Sequence, residues 1–97
     1  MEMVHKAETN QGRFYVYVGG VEAGYIQYQV LPSGNLNANG TLVYDAFRDQ
    51  KLGTPLFERL VAYARGLGVK MVPTCPYVLK MLERHPELAD VWAHDGV

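Results

Sequence analysis

The sequence predicts a mixed α/β fold of the α+β kind: an antiparallel meander sheet, then a β-α-β crossover, then a C-terminal helix. Three observations carry this. As far as Tyr44, apolar residues recur at every second position, the period of a half-buried strand. From Leu52 onward they recur every third or fourth position, the period of an amphipathic helix. Gly-Gly and Pro-Ser-Gly-Asn punctuate the first half at the spacing of short hairpins.

Taken in order, Val4 to Thr9 is expected to be an edge strand. Phe14, Val16 and Val18 alternate with Arg13, Tyr15 and Tyr17 in the next strand. Gly19-Gly20 then supplies the two positive-φ residues of a type I′ turn into a third strand, Val21 to Leu31. Pro32 to Asn35 turns the chain again. Leu36, Ala38, Gly40 and Leu42 alternate with Asn37, Asn39, Thr41 and Val43, so the two sets are expected on opposite faces of a fourth strand. Leu52, Leu56, Leu60, Ala64 and Leu67 form one helical stripe, which Gly66 and Gly68 close. Pro55 falls in the first turn, where the missing N–H removes no bond. Val69 to Val72 is a short strand stopped by Pro73. Cys75-Pro76 opens a second helix carrying Val78, Leu79, Met81 and Leu82. His85-Pro86 breaks that helix, and Glu87 to Trp92 supplies another turn. The strands on either side of the first helix should be parallel and their connection right-handed.

Composition narrows the function. Ninety-seven residues make one domain spanning 1–97, with 9 Lys plus Arg against 10 Asp plus Glu. That balance lacks the basic surplus by which nucleic-acid binders displace counterions, so no nucleic-acid partner is expected. No apolar run reaches the length that spans a bilayer, and the N-terminus has no signal-peptide pattern, so a cytoplasmic protein with no membrane partner is expected. One cysteine forms no intrachain disulfide. The scattered histidines show no metal-ligand spacing. Ser33, the sole serine, sits in a turn, which leaves no serine triad.

What remains is anion binding and thiol chemistry. Asp45 to Leu52 runs from the carboxyl end of a strand into a helix N-terminus, where free N–H groups and the positive dipole end attract anions. Cys75 stands at a strand-to-helix junction, a setting that favours a thiolate; the alternative is a small residue packed in the core. His85 is separated from Cys75 by a whole helix and sits where His caps terminal carbonyls. Lys80 and Arg84 share a face of the second helix, either as anion contacts or as solvated surface. The tyrosines of the first half suit strand packing.

The string Tyr44-Asp45-Ala46-Phe47-Arg48-Asp49-Gln50-Lys51-Leu52-Gly53, with Leu56 to Ala64 after it, resembles the coenzyme-A-binding segment of the GNAT superfamily of N-acetyltransferases. Lys70 to Val78, with its Pro-Thr-Cys-Pro-Tyr run, and Arg84-His85-Pro86-Glu87 resemble the small single-domain (YjdJ-type) branch. The resemblance spans about residues 13 to 92. It implies a minimal GNAT-like acetyltransferase fold that binds acetyl-CoA or coenzyme A. The implied cofactor contacts are Val43, Arg48, Asp49, Gln50, Lys51, Leu52, Gly53, Thr54 and Lys80. Cys75 becomes an acyl carrier or a wall of the acetyl site, and Tyr77 the acid that protonates the leaving thiolate. The acceptor would be a small amine or a protein lysine, and the protein a monomer or weak dimer.

Two positions of the phosphate loop depart from the family pattern, as do Gly40, where the branch often has His, and Tyr44, where a Pro is expected. Arg48 and Gly53 match its phosphate loop, while Lys51 and Asp49 replace glycines that let the backbone approach a phosphate. An ammonium at Lys51 can pair with a phosphate oxygen. A carboxylate at Asp49 repels a diphosphate and can compete for the helix N–H groups. These substitutions support the alternative of a non-catalytic or weakly CoA-binding domain acting as an interaction module.

Overall fold

A computed structural model describes residues 1–97. Five strands, β1 (Glu2–Ala7), β2 (Gln11–Val18), β3 (Val21–Val30), β4 (Leu36–Val43) and β5 (Met71–Pro73), form one sheet in the order β1-β2-β3-β4-β5. The first three junctions are antiparallel and the β4–β5 junction is parallel. Helix α1 (Gly53–Leu67) makes the crossover, and α2 (Pro76–Arg84) follows β5. This is the predicted element order and class.

Local chemistry explains the boundaries. Gly19 and Gly20 take φ of 57° and 80°, the left-handed pair that a two-residue hairpin needs. Gly68 caps α1 at φ 71°, and its N–H reaches back to Ala64 and Arg65, while Gly66 lies inside the last turn. The strand after α1 begins at Met71 rather than Val69, because the Val69 N–H is still held by the Ala64 carbonyl. Pro76 occupies the first position of α2, with Cys75 as the capping residue in extended backbone.

Both helices pack on one face of the sheet. Leu56, Phe57, Leu60, Val61 and Ala64 of α1 and Val78, Met81 and Leu82 of α2 join Phe14, Val16, Ile26, Leu36, Ala38 and Met71 in a core of 19 buried residues. Leu67, expected in the stripe, lies in the terminal turn where the chain leaves at Gly68 and is 53% exposed. The molecule is only 19 Å through its thinnest axis, the depth of one sheet and one helical layer. The other sheet face has no cover. No helix is long and apolar enough to cross a membrane.

One strand departs from simple alternation in a way that shapes the site. Tyr28 pairs with Ala38 and Gln27 with Gly40, so Asn39 is an extra residue in β4. This bulge reverses the phase of everything after it. Leu36 and Ala38 face the helices, but Leu42 turns outward and is 42% exposed, while Thr41 turns inward against Cys75. The expectation that Leu36, Ala38, Gly40 and Leu42 share a face therefore fails beyond Ala38.

Candidate functional site

β4 and β5 pair over only three residues, Leu36–Ala38 with Met71–Pro73. β5 ends because Pro73 cannot extend the ladder and the Thr74 N–H turns back to Val72. The Cys75 N–H then closes on the Ala38 carbonyl at 2.8 Å, which anchors the start of α2 beside the bulge. β4 runs on to Val43 without a neighbour on that side. The Tyr44 N–H binds Ala23 in β3, so by strand alternation the N–H groups of Thr41 and Val43 face the open side.

The segment Asp45–Gln50 is a 3-10 helix rather than the expected open loop. It ends at Lys51, whose φ of 54° and ψ of 44° place it in the left-handed region, the one non-glycine residue there. That conformation turns the chain into α1. No side chain caps α1, so the Gly53 and Thr54 N–H groups stay available at its positive end. Asp49 does not act as the cap.

These elements enclose a groove of about 490 Å³ lined by Thr41, Leu42, Val43, Arg48, Lys51, Leu52, Gly53, Thr54 and Tyr77. Seven of the residues picked from sequence thus converge: Val43, Arg48, Lys51, Leu52, Gly53, Thr54 and Tyr77. Asp49, Gln50 and Lys80 are exposed and lie outside the lining. Thr41 and Leu42 escaped the sequence reading. Gly40 was the available signal, since an isolated strand glycine marks a bulge.

The groove has the electrostatics of an anion site at one end. Arg48 pairs with Asp45 at 3.0 Å, but the two side chains are 70% and 90% exposed, so the pair is weak and its guanidinium can be drawn to another anion. Lys51 adds a second cation. At Gly53 the backbone is bare: a Cβ there would lie 2.8 Å from the Tyr77 hydroxyl oxygen. Gly53 thereby lets Tyr77 sit directly over the first turn of α1. A phosphate approaching uncapped N–H groups, two cations and a bare Cα fits this end well.

At the other end lies Cys75, 5% exposed, its Sγ 3.5 Å from the Thr41 hydroxyl. It does not line the groove; Thr41 stands between. His85 is far from this chemistry and pairs with Glu87 at 3.2 Å, without the capping role expected of its side chain. Arg84 is exposed and also lies outside the lining.

A family model described as GCN5-related N-acetyl-transferase matches residues 13–91. The NMR solution structure of a GCN5-like candidate N-acetyltransferase from Staphylococcus aureus superposes with a TM-score of 0.68 at 26% identity, covering 92% of this chain and 86% of that one. No curated protein matches the sequence. The family match takes in the bulged strand, the 3-10 turn, α1 and the Cys75–Tyr77 corner together. On that match the chain belongs to the GCN5-related N-acetyltransferase family.

Proposed function

We propose that the protein is an acetyl-CoA-dependent N-acetyltransferase acting on an amine in the cytoplasm. The observation that carries this is the groove itself, which joins an uncapped helix start and two cations to a strand with free N–H groups. Gly53, Thr54, Lys51 and Arg48 would hold the diphosphate. The Thr41 and Val43 N–H groups would polarise the thioester carbonyl and stabilise the developing oxyanion. A neutral amine attacks the carbonyl carbon, the C–S bond breaks, and the departing thiolate takes a proton from Tyr77. The attacking nitrogen releases its own proton to solvent, and the Tyr77 phenolate takes one back from solvent.

Cys75 admits a second route, in which its thiolate first accepts the acetyl group and then passes it to the amine. Its burial behind Thr41 favours direct transfer with Cys75 as a wall. Full activity of Cys75→Ala establishes direct transfer; loss of activity with an unchanged fold and unchanged CoA affinity supports the covalent route.

The rival reading is a non-catalytic domain that binds CoA weakly, resting on Asp49 and Lys51. Asp49 lies outside the groove, which removes half of that argument. Calorimetric titration with acetyl-CoA and CoA decides between them. Micromolar binding, about −8 kcal/mol, supports the enzyme. No heat and no thermal shift at millimolar ligand supports the interaction module, and recovery of binding in Asp49→Gly with Lys51→Gly would then identify the cause.

A further inference from the structure

We propose that the uncovered face of the sheet is the interface of a weak, two-fold symmetric dimer of this chain. The strand registers place Val4, Tyr15, Tyr25 and Leu42 side by side in one row across β1 to β4. Tyr44 packs edge-on against Tyr25, with ring centroids 6.5 Å apart, and widens the row. On one flank the register sets Lys6 beside Arg13 and Gln27; on the other it sets Glu2 beside Tyr17 and Glu22. The face is thus an apolar and aromatic stripe with cations along one side and carboxylates along the other.

That arrangement is complementary to itself. A two-fold axis lying along the stripe keeps the stripe on the stripe and exchanges the flanks, so Lys6 meets Glu2 of the partner subunit and Arg13 meets the partner's Tyr17. Two sheets stacked this way keep their strands aligned, the common geometry of sheet-on-sheet packing. Charges on the face balance, two against two, which disfavours a strongly acidic or basic partner and favours a second copy.

One feature within the monomer suits such a neighbour. Lys6 sits directly opposite Arg13, a like-charge pair with no carboxylate bonded to either. Arg13 donates to Gln27 and Tyr15 and lies 4.0 Å over the Tyr25 ring, which leaves the Lys6 ammonium as the cation to pair across the interface. Lys6, Arg13, Tyr15, Gln27 and Asn39 all line a hollow of about 480 Å³ on this face. The stacked flank would bring the partner's Tyr17 to that hollow.

The flat face is small, roughly 300–400 Å² per subunit from strand spacing and rise. It belongs with weak interfaces, so a Kd of roughly 10–300 µM is expected. The groove opens at the free edge of β4 and shares only Leu42 with the stripe.

Sedimentation equilibrium across that concentration range is the test. The mass of the native chain should climb from 10.9 kDa toward twice that value. Lys6→Glu and Glu2→Lys should each remain monomeric, and their equimolar mixture should associate as well as the native chain. Leu42→Glu, three strands away from β1 and with its fold verified by circular dichroism, should also be monomeric. A chain that stays at monomer mass at 1 mM overturns the proposal. Association that survives Leu42→Glu overturns it equally, since copies would then be pairing edge to edge through β1.

Discussion

Lys51 bends the chain into α1 by holding a backbone conformation that costs a side-chain-bearing residue about 1 kcal/mol. The same residue brings an ammonium to the phosphate end of the groove. Lys51→Gly separates the two effects. Relief of the left-handed strain, less the extra freedom glycine has when unfolded, should stabilise the fold by at most about 0.5 kcal/mol. For a chain of this size that is a rise of no more than about 4 °C in Tm by thermal denaturation. Affinity for CoA should fall at the same time, and its salt dependence should weaken because one phosphate contact is gone. A variant that gains both stability and affinity would show that Lys51 obstructs the groove. At this scale the sequence showed which residues bear charge, and it matched Lys51 to a glycine of the family loop. It did not show that the residue occupies the glycine's conformation.

The groove depends on how α1 and α2 meet the end of β4. α2 places Tyr77 over the first turn of α1, and Gly53 makes room for it. Gly53→Ala would set a methyl group 2.8 Å from the Tyr77 hydroxyl, and the half-buried ring can shift at its tip. The expected outcome is a stability change below about 1 kcal/mol, with acetyl transfer reduced at least tenfold. Tyr77→Phe should give a similar loss, and the double variant little more, because both act on one hydroxyl. Additive losses would show that the methyl group blocks the ligand directly. The elements themselves were legible: the hairpin glycines, the stripe of α1, Pro76 opening α2 and Pro73 ending β5 each state a local rule. The bulge was not, since Leu36, Ala38, Gly40 and Leu42 keep the spacing of an uninterrupted strand. Asn39 is added by the pairing with β3, which is a non-local fact.

Across the whole molecule, one helical layer lies over one sheet, and the edge strand is tied down by a polar cluster. His5 in β1 stacks on Phe14 at 4.1 Å and lies 2.7 Å from the Tyr28 hydroxyl, with Tyr63 of α1 edge-on at 4.7 Å. Burial, together with the nearby Arg59 guanidinium, pushes the His5 pKa below its ordinary value of 6.5. Burial, then the bond to Tyr63, raises that of Tyr28. Folded His5 holds its proton less tightly than unfolded His5, so the unfolded chain binds more protons in acid. Its contribution to stability is therefore complete above about pH 6.5 and is lost as pH falls through 6.5 toward the folded value. Melting curves between pH 7.5 and 5 should show Tm falling with acid, and His5→Gln should flatten that slope. An unchanged slope would assign the acid sensitivity to another group.

β4 also gives the sheet an opening that most folds avoid. A strand with free N–H and C=O groups can template another chain, and exposed edges are a common origin of aggregation. On β4 only the stretch from the bulge to Val43 is unpaired, and it is walled by Tyr77, Arg48 and Lys51. The bulge adds local twist that a flat incoming sheet cannot match. The opening is long enough for one slender extended ligand and too short and too enclosed for a second sheet. The geometry that admits the cofactor thus also guards the chain against polymerising through the strand it must leave bare.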